Sequence, residues 1–132
     1  MTLQYSVAVR NARGDATEVT IGTSPVLEIR TGAPPANCAA ADSGTLLASL
    51  TLPSNWASDT ASGVKALLGT WEDPSSNASG TAAHFRLKSS GGTVHVQGTV
   101  GTSGADLIVT TTTFVATQPF SITAFNLTEG NA

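Results

Sequence analysis

The chain has 132 residues, enough for one domain that buries roughly two-thirds of its unfolded surface without covalent staples. Charged residues make up only 11% and the formal net charge is -3, with no lysine cluster or basic stripe, which argues against nucleic-acid binding by counterion release. One cysteine, Cys38, excludes an internal disulfide and cannot build a zinc site by itself; no run approaches the ~18 apolar residues of a membrane span, and the opening residues lack the regions of a signal peptide, so folding in a cytoplasm without membrane association is expected.

Residues 3–21 form the one helical pattern. Tyr5, Val9, Ala12, Ala16 and Val19 recur at helical spacing, while Arg10, Arg13, Asp15 and Glu18 take other directions. Gly14 lies inside this pattern at a cost of about 1 kcal/mol relative to alanine, so a bend or break there is expected, with a helix of 3–13 followed by an extended piece as the alternative. Gly22 closes the segment.

Strands follow. Pro25–Arg30 alternates Leu27 and Ile29 against Glu28 and Arg30; a proline- and glycine-bearing loop then runs over 31–44. Leu46–Leu52 places Leu46, Ala48, Leu50 and Leu52 on one face and Leu47, Ser49 and Thr51 on the other, until Pro53 withholds an amide. The irregular stretch 54–63 holds Trp56. Val64–Trp71 is the next strand, followed by a polar loop in which Glu72 and Asp73 read as turn residues beside Pro74.

The clearest hairpin spans 81–100. Phe85 and Leu87 alternate with His84, Arg86 and Lys88; Ser89-Ser90-Gly91-Gly92 turns the chain, and Val94, Val96 and Val100 alternate with polar residues. A two- or four-residue turn places Phe85 and Leu87 on one face with Val94 and Val96, and both histidines on the wetter face. Ala105–Val115, rich in threonine, and Phe120–Thr128 complete the set. The expected fold is all-β: a jelly-roll-like sandwich or partly closed barrel of seven to eight short antiparallel strands (23–132), preceded by a short N-terminal helical segment (1–22).

No catalytic constellation emerges. The two histidines lack a carboxylate or thiol partner in the hairpin, no serine sits in a nucleophile elbow, and the glycine-rich turns lack the lysine and helix of a phosphate loop, so no enzyme, cofactor or metal is expected. Arg13-Gly14-Asp15 spells the integrin adhesion tripeptide, but inside a predicted helix; Asn77-Ala-Ser and Asn126-Leu-Thr are chance glycosylation patterns. The candidate partner-binding residues are therefore Tyr5, Val9, Arg10, Arg13 and Trp56, the last set in a loop of Ser, Asn and Asp, since tryptophan is enriched among interface hot spots.

LQYSVAVRNARGDA, TIGTSPVLEIRTGAPPA, LLASLTLPSNW, GTAAHFRLKSSGGTVHVQGTVGTSGADLIV and FSITAFNLTEGNA, which together cover most of the chain, resemble a group of small virion structural proteins of tailed bacteriophages. The resemblance implies a capsid decoration or cement protein on the outer capsid surface, with the major capsid protein as partner and a homo-oligomeric state. It also implies a helix-compatible residue where this chain has Gly14. Contacts would fall to the N-terminal segment and the loops at 31–44 and 53–63. The competing expectation is a tail or head-fibre module that binds cell-surface glycan by stacking a sugar on an exposed Trp56 beside Asn55 and Asp59.

Overall fold

A computed structural model of the protein describes residues 3–130, so the outermost ends of the two predicted segments, 1–2 and 131–132, lie outside the described residues. The chain is mostly β, with one helix and a five-stranded sheet curled into a half-barrel. In chain order come α1 (Val7–Ile21), β1 (Val26–Arg30), β2 (Leu46–Thr51), β3 (Val64–Ala66), β4 (Trp71–Asp73), β5 (Gly80–Thr81), β6 (His84–Lys88), β7 (Val94–Gly101), β8 (Leu107–Ile108), β9 (Thr113–Phe114), β10 (Phe120–Ile122) and β11 (Asn126–Thr128).

The curled sheet has the order β2-β1-β6-β7-β8, and three two-stranded ladders, β10-β4, β11-β3 and β5-β9, accompany it. Among the described residues eleven short strands thus replace the expected seven or eight, and β7–β8 is parallel rather than antiparallel. Three long predicted strands are each cut in two. Between β3 and β4 the break falls at Gly69, whose φ of 75° lies in the left-handed region that ends a strand. Glu72 and Asp73 belong to β4 rather than to a loop, and they do face opposite ways: Glu72 is exposed, while buried Asp73 accepts from the N–H of Ser49 (2.9 Å) and of Ser75 (3.0 Å).

One cluster of buried apolar side chains lies on the Leu27, Ile29, Phe85 and Leu87 side of the sheet. Both tryptophans and all four phenylalanines belong to it. An aromatic chain crosses the core: Trp56 to Trp71 at 6.2 Å between centroids, Trp71 to Phe125 at 5.8 Å, and Phe125 edge-on to Phe85 at 5.5 Å. Such tilted and edge-to-face pairs add to simple burial because the ring edge meets the neighbour's negative face.

Two bulges change which side chains reach this core. In β2 the register against β1 shifts between Ala48, opposite Ile29, and Leu46, opposite Arg30; the extra residue, Leu47, turns inward. Leu47 and Ala48 are both buried and Leu46 is not, which corrects the simple alternation expected. In β7 the register shifts between Val96, opposite Leu87, and Val94, opposite Lys88. Val96 keeps the predicted place against the core, but Val94 now stands with Lys88 and Arg86 on the other side of the sheet, and His95 swings to the helix side. A bulge places two residues against one and so inverts the alternation beyond it.

Helix α1 is continuous through Gly14, contrary to the expected break. The glycine is buried against Thr60, and a Cβ there would collide with Thr60 Oγ1 and stand 2.8 Å from its Cγ2. Close approach, not flexibility, is what the residue supplies. Gly14→Ala, which propensity alone would make stabilising by about 1 kcal/mol, is therefore expected to destabilise by about 1–3 kcal/mol; urea unfolding measures it, and a more stable variant would contradict the close packing.

Candidate docking surface

Helix α1 begins at Ser6, whose hydroxyl accepts from the Val9 N–H at 3.3 Å, and ends at Gly22. Its apolar residues face outward. The inward face is polar. Arg10 donates to the carbonyls of Glu129 (3.0 Å) and Ser62 (3.1 Å), Asn11 accepts from the Gly63 N–H (2.9 Å), and Asp15 accepts from the Thr60 N–H (2.8 Å).

Beneath the helix lies Lys65, only 1% exposed. Its ammonium donates to Glu18 Oε2 and the Ser58 carbonyl, both at 2.6 Å, and to Asp15 Oδ1 at 3.2 Å. A charge buried this completely must be paired. The carboxylates of α1 meet that requirement and so set the helix rotation, leaving the apolar stripe outside.

Tyr5, Val9, Ala12, Ala16 and Val19 are accordingly all exposed, Val19 to 81%. Arg13 borders this face: it pairs with Glu129 at 3.2 Å and its guanidinium carbon stands 5.0 Å from the centre of the Tyr5 ring. The only tyrosine of the chain is thus held at the surface, while every other aromatic is in the core. None of the five exposed residues is charged; Tyr5 precedes the helix, and Val9 to Val19 carry the apolar strip along about three turns.

Of the five predicted partner-binding residues, the structure brings Tyr5, Val9 and Arg13 together at this surface. Arg10 is half-buried and serves to fasten the helix. Trp56 is 1% exposed, its indole N–H donating to the Gly22 carbonyl at 2.9 Å, and it offers no face to a partner. The centre of the 53–63 loop is likewise internal, with Trp56, Ala57 and Thr60 buried. The glycan reading loses the exposed aromatic platform on which it stood. Arg13-Gly14-Asp15 lies in the helix with its glycine buried and its aspartate engaged, not as an accessible loop.

The 31–44 loop covers the opposite face of the sheet. Arg86, 1% exposed, fastens it by donating to Asp42 Oδ1 (2.5 Å) and to the carbonyls of Cys38 (3.0 Å), Ala40 (3.0 Å) and Asn37 (3.3 Å). Around this hub Lys88 pairs with Asp42 (2.7 Å) and Glu28 (2.9 Å), and Arg30 with Glu28 (2.9 Å) and Asp42 (3.3 Å). His84, expected on a wet face, is buried under the same loop and donates from Nδ1 to the Gly32 carbonyl at 2.7 Å. His95 instead lines an open cleft of about 440 Å³ beside α1, with Arg13, Thr17, Thr20 and Glu129. The bulge in β7 is what separates the two histidines. Among the described residues no group of three His, Cys, Asp or Glu side chains is placed to hold a metal ion, and no helix is long and apolar enough to cross a membrane.

The fastenings are pH-sensitive. Hydrogen bonds from the Thr60 amide and from Lys65 hold Asp15 below its ordinary value of 3.8, and the Lys88 hydrogen bond, with Arg86 behind it, does the same for Asp42 against burial. A lowered carboxylate stabilises fully above the unfolded value and ceases to as pH falls through the folded one. Lys88 behaves oppositely: burial opposes its charge, but hydrogen bonds to Asp42 and Glu28 outweigh burial and raise it above 10.5, so its contribution holds below that value and is lost above it. Stability should therefore be flat near neutrality and fall below about pH 4, with amides of α1 and the 31–44 loop exchanging first. Hydrogen exchange from pH 7 to 3 checks this; acid loosening confined to the β core would contradict it.

No family model matches the chain, and no curated protein or solved structure matches it either.

Proposed function

We propose that this chain is a non-enzymatic structural protein of a tailed-phage virion that decorates and cements the capsid, as a homo-oligomer, by bridging major capsid protein subunits on the outer surface. The observation that carries the reading is the outward face of α1: an apolar strip from Tyr5 to Val19, exposed on a helix that Lys65, Arg10 and Gly14 fix to the body. Apolar strips of this kind on otherwise polar surfaces mark sites of protein contact. The low charge and the sequence resemblance to small virion proteins support the same reading. Cement proteins act through repetition: modest contacts, multiplied by lattice symmetry, hold a shell together. For the body we propose a jelly-roll-like sandwich, supported by the short ladders whose Trp71, Phe114, Phe120 and Ile122 share one core with the curled sheet.

Cryo-electron microscopy of purified virions tests the assignment. Density over the capsid at lattice-related positions is expected, and density confined to the tail tip would sink it. In parallel, the double substitution Val9→Glu/Val19→Glu should leave unfolding unchanged within about 0.5 kcal/mol and weaken binding to undecorated capsids roughly 30-fold or more. Normal decoration by that variant would overturn the role of the helix.

A further inference from the structure

The backbone ladders leave two strand edges facing a common cleft. In β7 the Val100 N–H donates to the Ala83 carbonyl at 2.9 Å, so Val96, Gly98 and Val100 direct their amides and carbonyls toward β6, while Gln97 and Thr99 direct theirs away. Thr99 N–H is met by Asp106 Oδ2 at 2.9 Å, and β8 pairs only with Val100 and Gly101. Among the described residues no strand lies beside Gln97 on that edge. In β11 the Phe125 carbonyl accepts from Leu67 N–H (3.1 Å) and Glu129 N–H donates to the Gly63 carbonyl (2.7 Å), so Leu127 bonds toward β3 and Asn126 and Thr128 turn their backbone groups away from it.

Gln97, Asn126 and Thr128 line one cleft of about 400 Å³ whose remaining walls include Phe85, Val96, Phe125 and Leu127. We propose that this cleft is a strand-acceptor groove, in which an extended, uncharged segment of a partner protein hydrogen-bonds to Gln97 on one side and to Asn126 and Thr128 on the other. An open strand edge is a template for another strand, and here two such edges border the same space. The apolar walls receive one side chain of the segment. Among the described residues Asp106 is the one ionisable group lining the cleft, and its oxygen is already engaged by the amide and hydroxyl of Thr99, at 2.9 and 3.2 Å; an acidic segment finds no cation there, and the walls of Phe85, Val96, Phe125 and Leu127 favour an uncharged one. Bound in this way, the segment would join the curled sheet to the β3–β11 ladder and carry the half-barrel toward closure. The groove is distinct from the outward face of α1 and does not depend on the capsid assignment.

The test is an NMR titration of the isotopically labelled full chain with a capped Thr-Val-Thr-Val-Thr peptide, alongside the same peptide N-methylated at alternate residues. Binding should shift the amides of Gln97, Asn126 and Thr128 and slow their exchange at least about ten-fold, and N-methylation should weaken it by about ten-fold. Gln97→Pro removes an amide directed away from β6, a position where an edge strand tolerates proline, together with the side-chain bond to the Pro35 carbonyl (2.8 Å), and should abolish binding; Gln97→Ala, which loses the same side-chain bond but keeps that amide, should not. Thermal melts establish that both variants fold, and if the proline variant does not, the N-methyl comparison carries the test. The proposal is overturned by unchanged amides at millimolar peptide, by equal binding of the N-methylated peptide, by shifts confined to α1, or by amides already protected in the free chain, which would mean that a second copy or the chain itself covers the edge.

Discussion

Trp56→Ala is expected to cost about 3–5 kcal/mol, the range for deleting a buried tryptophan, and to lower the melting temperature by on the order of 10–20 °C. The residue lies in a polar loop, yet its indole stacks on Trp71 at 6.2 Å and its N–H holds the Gly22 carbonyl at the end of α1. Truncation would therefore open a cavity in the aromatic layer and orphan a backbone acceptor together. Trp56→Phe separates the two effects: it keeps most of the ring volume, loses the hydrogen bond, and should cost only about 1–2 kcal/mol. Calorimetry on the pair decides the matter. An alanine variant that melts normally and fails only in partner binding would show that Trp56 works at a surface.

Arg86→Ala should be nearly as damaging, at about 3 kcal/mol, because it removes one side of a buried ionic and hydrogen-bonded cluster and leaves the rest in place. The carbonyls of Cys38 and Ala40 would lose their donor, that of Asn37 would keep only the Ala40 N–H, and Asp42 would keep only Arg30 and Lys88. Lysine is not a remedy. Its single ammonium cannot reach four acceptors that the planar guanidinium fork satisfies together. The readout is local as well as global: the 31–44 loop should become cleavable by protease, and Cys38, now partly covered, should react with a thiol reagent about ten-fold faster. Unchanged labelling of Cys38 in a destabilised variant would show that Arg86 supports the sheet rather than the loop.

Much of the architecture was legible in the residues. Period-two alternation located β1, β2, β6 and β7, and helical spacing located α1 and its end at Ile21, although the helix begins at Val7 rather than at residue 3. What the residues left open has a common origin. The spacing of Tyr5, Val9, Ala12, Ala16 and Val19 does not say whether that face packs on the body or is free for a partner; the body meets the helix with a buried lysine and with loop amides and carbonyls that need polar partners, and so leaves the apolar face outside. Nothing in residues 3–21 announces Lys65, which lies far along the chain. His84 is interior, not on a wet face, for a similar reason: alternation puts it on the side away from Phe85 and Leu87 correctly, and only the distant 31–44 loop covers it.

The sequence by itself determined the class of the fold, the places of the helix and principal strands, the absence of internal disulfides and the low charge, because each depends on composition or on neighbours a few residues apart. The tertiary structure alone decided which face of α1 is free, that Gly14 is a point of close packing, that Trp56 and His84 are interior, and that bulges in β2 and β7 exchange inward for outward side chains. These outcomes depend on contacts between residues dozens of positions apart, and a local repeat carries no information about what the far partner presents.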